Sequence, residues 1–144
     1  MPQASQDQVL VVDDDPGIRE AVRAILEDEG YTVLEAPDGV QGLALLARSK
    51  DCLVALVDYR MPRMDGYHLL QAATAAEDHR CQAYIMITAN RDLISPTVQQ
   101  FLATKHIPLI DKPFDIDTLL VTIEQARDQM ERPATKGAAS TSPS

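Results

Sequence analysis

Residues 53–66 read LVALVDYRMPRMDG. Five apolar residues in a row, with no polar alternation, are the pattern of a strand buried on both faces, and the run stops abruptly at Asp58. Three other apolar runs stop the same way. Residues 9–12 end in Asp13, Asp14 and Asp15; residues 84–87 end in Thr88; residues 108–110 end in Asp111, Lys112 and Pro113. One polar residue at a strand end is ordinary. Four are not, because the carboxyl ends of an open parallel sheet lie on one edge, and ligands bind in the crevice there.

The rest of the chain supports such a sheet. Residues 8–12, 31–35, 53–57, 83–87 and 108–110 are short, apolar and rich in Val, Ile and Leu, and are expected to be strands. Between them the apolar residues keep helical spacing: Ile18, Val22, Ile25 and Leu26; Val40, Leu43, Leu46 and Ala47; Leu69, Leu70, Ala73 and Ala76. Ser95 followed by Pro96 reads as a helix start leading into Val98, Phe101 and Leu102. A fifth helix carries Ile116, Leu119, Leu120 and Ile123 on one stripe, with Arg132-Pro133 to stop it. Five alternations of strand and helix predict an α/β domain whose parallel sheet is covered on both faces through right-handed crossovers. The expected domain spans residues 8–132, with disordered termini at 1–7 and 133–144.

Composition narrows the function classes. A chain of 144 residues that is 45% hydrophobic makes one globular domain with a real core. Its net charge of −9 repels phosphate backbones and anionic membranes, so neither nucleic acid nor a membrane is an expected partner. Residues 1–8, MPQASQDQ, have neither the basic nor the apolar region of a signal peptide, and no run reaches membrane-spanning length. A cytoplasmic location is expected. Cys52 and Cys81 have no CxxC spacing and lie beside or within apolar segments, which predicts buried free thiols in a reducing compartment.

The acidic triplet divides by role. Asp15 precedes a proline at a helix start and is expected to cap the first turn. Asp13 and Asp14 are left without that explanation. With Asp58 they make three carboxylates at the ends of two strands, an oxygen-only donor set suited to a hard divalent cation. Asp65 before Gly66 is expected to cap the third helix, and Met61 and Met64 to pack within their loop. His68, His79 and His106 share no ligand spacing and read as surface residues.

The segments VLVVDDDP, LVDYRMPRMDG, MITAN and LIDKPF, in this order and spacing, resemble the receiver domain of bacterial two-component response regulators over residues 8 to about 128. The resemblance implies a flavodoxin-like (βα)5 fold of strand order 2-1-3-4-5. It implies that Asp58 is the phosphoacceptor, that Mg2+ is held by Asp14, Asp58 and the backbone carbonyl of Arg60, and that Asp13 acts chiefly through water. Thr88 would be the switch hydroxyl and Lys112 the ammonium that pairs with the phosphoryl group, with a cis bond between Lys112 and Pro113. Arg60 and Asn90 would flank the mouth of the site and tune phosphoryl loss. The phosphoryl donor would be a sensor histidine kinase or a histidine phosphotransfer protein. The chain would catalyse only its own phosphorylation and dephosphorylation, and would signal through a downstream protein without an output domain of its own.

One position departs from the pattern: three residues before the lysine, where receivers commonly carry Tyr or Phe, this chain has Leu109. Three rival readings fit less well. A flavin-binding electron carrier needs a hydroxyl-rich phosphate loop where Asp13, Asp14 and Asp15 stand, and aromatic rings scarce in a protein with no Trp and 2 Phe. An aspartyl-phosphate hydrolase resembles a DxD pattern at its nucleophile, and Asp58-Tyr59-Arg60 lacks the second acid. An unphosphorylated interaction module would have no use for the full set of acids, hydroxyl and lysine.

Overall fold

The computed structural model describes residues 8–76 and 81–130. The expected disordered termini, the stop at Arg132-Pro133 and His79 lie outside them. Within them the elements run β1 (Gln8–Val12), α1 (Pro16–Asp28), β2 (Thr32–Ala36), α2 (Gly39–Arg48), β3 (Leu53–Asp58), α3 (Gly66–Ala75), β4 (Gln82–Thr88), α4 (Pro96–Lys105), β5 (Leu109–Asp111) and α5 (Ile116–Gln129). All pairings are parallel and the sheet order is β2-β1-β3-β4-β5. The fold is flavodoxin-like, as expected.

Burial explains the order. Every residue of β3 is buried, consistent with its central place, whereas the edge strands β2 and β5 are partly exposed and β5 is only three residues long. Because strand side chains alternate in direction, each strand feeds two cores. Val9, Val11, Val54, Leu56, Ile85 and Ile87 pack against α1 and α5 through Val22, Leu26, Leu119 and Ile123. Leu10, Val12, Ala55, Val57 and Met86 face α2, α3 and α4 through Leu46, Leu69, Leu70, Val98 and Leu102.

Local chemistry sets the helix starts. Asp15 accepts from the amides of Gly17 and Ile18, with Pro16 at the first helical position; Asp65 accepts from His68, and Ser95 from Val98. Asp38 and Asp115 cap α2 and α5 in the same manner.

The cysteine expectation is corrected. Cys52 and Cys81 are joined in a disulfide. Leu53 pairs with Gln82, so the residues just before them stand side by side at the amino ends of β3 and β4, with Cα atoms 4.6 Å apart. That is within disulfide reach. A separation of 29 residues hides this in the sequence; only strand register reveals it.

Candidate phosphoacceptor site

Register builds the site. Val12 pairs with Val57, so Asp13 and Asp58 leave neighbouring strands at the same level; Asp58 in turn lies opposite Ile87, and Thr88 opposite Asp111. One carboxylate oxygen from each of Asp13, Asp14 and Asp58 lies within 4.8 Å of the other two. Lys112 reaches in from the end of β5, its Nζ 3.1 Å from Asp58 Oδ1 and 3.2 Å from Asp13 Oδ2. Asp13, Asp58 and Thr88 are buried, whereas Asp14 is exposed. All five predicted side chains therefore sit on one edge of the sheet.

The site carries more negative than positive charge at close range. Burial pushes the Asp58 carboxyl up to about 6, the neighbouring Asp13 charge adds to the rise, and Lys112 only partly offsets it. For Lys112, burial alone would lower the ammonium's pKa, but the Asp58 and Asp13 carboxylates outweigh that and the net movement is upward. One cation is shared by two buried carboxylates, so the Lys112 ammonium is held firmly while Asp58 is not fully compensated. An oxygen-only pocket with spare negative charge, lined by Asp13, Asp14 and Asp58, fits a hard divalent cation.

Backbone contacts fix the surroundings. Arg19 on α1 donates from Nη1 to the Asp13 carbonyl (2.8 Å) and from Nε to Glu35 (3.0 Å), tying the first acidic residue to α1 and β2. The Asp15 amide donates to Asp13 Oδ1 at 2.9 Å. After Asp58, the Tyr59 amide donates to the Ile87 carbonyl and the Gly66 amide to the Tyr59 carbonyl, each at 2.8 Å, which closes the β3–α3 loop on itself. The Lys112-Pro113 bond is cis.

Around Thr88, the Asn90 amide donates to Thr88 Oγ1 (3.2 Å), while Asn90 Oδ1 accepts from Asp92 N (2.9 Å) and caps a short 3-10 turn at Arg91–Leu93. Leu109 is half-buried among the α2–α4 side of the core. Its carbonyl accepts from Arg91 Nη2 at 3.1 Å, and Arg91 Nε pairs with Asp111 at 3.0 Å. Arg60 is exposed at the rim. Met61 and Met64, expected to pack within their loop, pack against the α2–α4 side of the core; His68 pairs with Asp65 at 2.8 Å, a contact the sequence reading did not anticipate.

Sequence reasoning also missed Arg19, Arg91 and Asp38. The first two had no local signal, since their partners arrive from other elements. Asp38 had one: Asp38 and Gln41 stand three apart before an apolar period, a helix-start signature. A groove lined by Tyr84, Leu102, His106, Pro108, Ala126 and Met130 opens near the amino ends of β4 and β5 and shares no residue with the acidic cluster.

Comparisons with known proteins agree with this geometry. The family profile described as the response regulator receiver domain matches residues 9–124. The response regulator MprA of Mycobacterium sp. (strain KMS) is 35% identical over 113 residues, covering 78% of this chain and 47% of that protein. The DNA-binding dual master transcriptional regulator RpaA of Synechocystis sp. is 30% identical over 125 residues, covering 87% and 51%. The chain thus spans about half the length of these curated relatives. Among solved structures, a CheY-like receiver domain protein from Methanospirillum hungatei superposes with a TM-score of 0.75 at 31% identity, covering 87% of this chain and 96% of that one. Chemotaxis protein CheY4 of Vibrio cholerae gives 0.72 at 30% identity, covering 84% and 98%. With the acidic edge, the strand order and the family match in agreement, the chain belongs to the response regulator receiver domains of two-component signalling.

Proposed function

We propose that Asp58 accepts a phosphoryl group from a phosphohistidine on a sensor histidine kinase or a histidine phosphotransfer protein, and that the resulting change of surface is read by a downstream protein. The observation that carries this reading is the single Lys112 ammonium shared between the buried Asp13 and Asp58 carboxylates. Such a site has room in its charge balance for a cation and, with it, a phosphoryl group.

An Asp58 oxygen forms a bond to phosphorus as the phosphorus–nitrogen bond breaks, and the imidazole leaves. Lys112, already in contact with the nucleophile, pairs with a phosphoryl oxygen. Thr88, whose hydroxyl lies at the end of the adjacent strand, donates to another and draws the β4–α4 loop with it. Asp14, Asp58 and the Arg60 carbonyl would hold Mg2+, with Asp13 acting through water, and the ion would supply positive charge to a pocket rich in oxygen atoms. Water later displaces Asp58 from phosphorus, which restores the carboxylate and releases phosphate. Asp58 is consumed in each phosphorylation and regenerated only by that hydrolysis, so the chain is a switch and not a turnover enzyme. Arg60 and Asn90, at the rim, set how readily water reaches the phosphoryl group. An ATP-fed kinase as the donor places this activity in the cytoplasm, and a charge of −9 disfavours nucleic acid or anionic membranes as direct partners of this domain.

The test is intact mass after incubation with acetyl phosphate. Wild type gains one phosphoryl group only when Mg2+ is present, and Asp58→Asn gains none. A gain that persists in Asp58→Asn would remove Asp58 as the acceptor.

A further inference from the structure

Asp13, Asp58 and Thr88, which belong to the site, are buried, and so is Asp38, which does not belong to it. Asp38 caps α2 through Oδ1, which accepts from the Gln41 amide at 2.8 Å. A cap needs one oxygen and no net charge, and Asn or Ser would serve as well. The other oxygen, Oδ2, meets Arg63 Nη2 at 3.1 Å and Gln41 Nε2 at 3.5 Å. A buried carboxylate is costly unless paired, so the charge of Asp38 points to Arg63, which lies in the β3–α3 loop directly after Asp58.

Arg63 has φ 70, a left-handed conformation that a side chain disfavours. Glycine would fit that backbone more easily but could not reach Asp38. Next to each partner the backbones also touch: a Cβ on Gly39 would lie 2.5 Å from the Met64 carbonyl oxygen, so the first turn of α2 rests on the loop. The far side of the loop is closed by the Gly66 amide on the Tyr59 carbonyl, and a Cβ on Gly66 would lie 2.6 Å from the Asp58 carbonyl oxygen. The loop carrying Arg60 is thus held between its own base and the start of α2.

We infer that the Asp38–Arg63 pair is a clamp that fixes the β3–α3 loop, which carries Arg60, beside the acidic cluster, making Asp38 and Arg63 positioning residues for Mg2+ binding although neither contacts the ion. This rests on the metal role proposed above. The clamp couples α2, otherwise remote from the chemistry, to the site.

The experiment is a Mg2+ titration of unphosphorylated protein, followed by amide chemical shifts, with amide exchange of residues 60–64 measured in chelator. Arg63→Gly keeps the left-handed backbone and removes the guanidinium; Asp38→Asn keeps the cap and removes the charge; Arg63→Lys keeps the charge. The first two are expected to weaken Mg2+ binding about tenfold and speed exchange in the loop, the size typical of lost support behind a metal ligand. Arg63→Lys is expected to recover most of the affinity, and the double variant to bind no more weakly than the worse single one. A merely structural pair would lower the melting temperature and leave Mg2+ affinity unchanged. Single variants that bind Mg2+ like wild type, or losses that multiply in the double variant, would overturn the clamp while leaving the site intact. A wild-type protein that does not bind Mg2+ would overturn the metal reading and the clamp with it.

Discussion

The two ends of the central strands are built in opposite ways. At the carboxyl end of β3, Asp58 is buried beside Asp13 and shares one ammonium with it. At the amino end, Cys52 is bonded to Cys81, whose sulfur lies 3.9 Å from that of Met130. Cys52 and Asp58 are six positions apart, about 20 Å along a strand. One end stores unbalanced charge that a cation or a proton relieves; the other is neutral and covalently closed. The strand between them is fully buried, so what the site costs in stability is supported by apolar packing on both faces and by the closed amino end.

The largest expected effect comes from opening the closed end. A cross-link over 29 residues is worth about 3–4 kcal/mol on the chain-entropy view, so reduction, or Cys52→Ser with Cys81→Ser, is expected to lower the melting temperature by on the order of 10 °C. Phosphorylation of Asp58, followed by intact mass under conditions where the protein stays folded, should be unaffected. Loss of phosphorylation in the folded reduced protein would show that the two ends are coupled.

Relieving the charged end should do the reverse. Asp58 holds its proton more tightly folded than unfolded, since its pKa rises from 3.8 to about 6. Its contribution to stability is therefore fully present below about pH 4 and is lost as pH rises through about 6. In chelator, Asp58→Asn should gain on wild type by roughly 2–3 kcal/mol between pH 4 and pH 7, measured by urea unfolding. Mg2+ should erase the difference by stabilising only wild type. A difference that stays flat with pH would show that Asp58 is not strained.

Asp14 is exposed, so solvent screens its repulsion and the relief should be smaller. Asp14→Asn is expected to raise the melting temperature in chelator slightly and to abolish the further rise that Mg2+ gives wild type. A normal response to Mg2+ in that variant would remove Asp14 from the ligand set.

The smallest effect is expected at Leu109. Thr88 is in place for the near half of a switch, but Leu109 has no polar tip to move between solvent and core. Phosphorylation should therefore be reported by the β4–α4 loop, whose Arg91 holds the Leu109 carbonyl and Asp111. Leu109→Ala should preserve the phosphorylation-dependent chemical-shift changes around α4, and Thr88→Ala should remove them. The opposite pattern would place the signal in residue 109.

The sheet and its acidic edge were legible because each depends on short stretches. Unbroken runs such as residues 53–57 must be buried on both faces, and the alternation of strands with helical periods leaves a covered parallel sheet as the outcome. Asp15, Asp65 and Ser95 cap helices as expected because capping is decided within four residues. The strand order came from the family resemblance, since nothing within single segments specifies which strands are neighbours.

What the sequence by itself determined is the set of side chains delivered to the carboxyl edge, because a strand's direction and length fix where its last residue falls. Only the tertiary structure decided which side chains touch: Lys112 with both Asp13 and Asp58, Arg19 with the Asp13 carbonyl, Arg63 with Asp38, and Cys52 with Cys81. Each of these contacts joins residues from different elements. Their distances follow from register and helix docking, which are set by the packing of the whole core and not by any local run of residues.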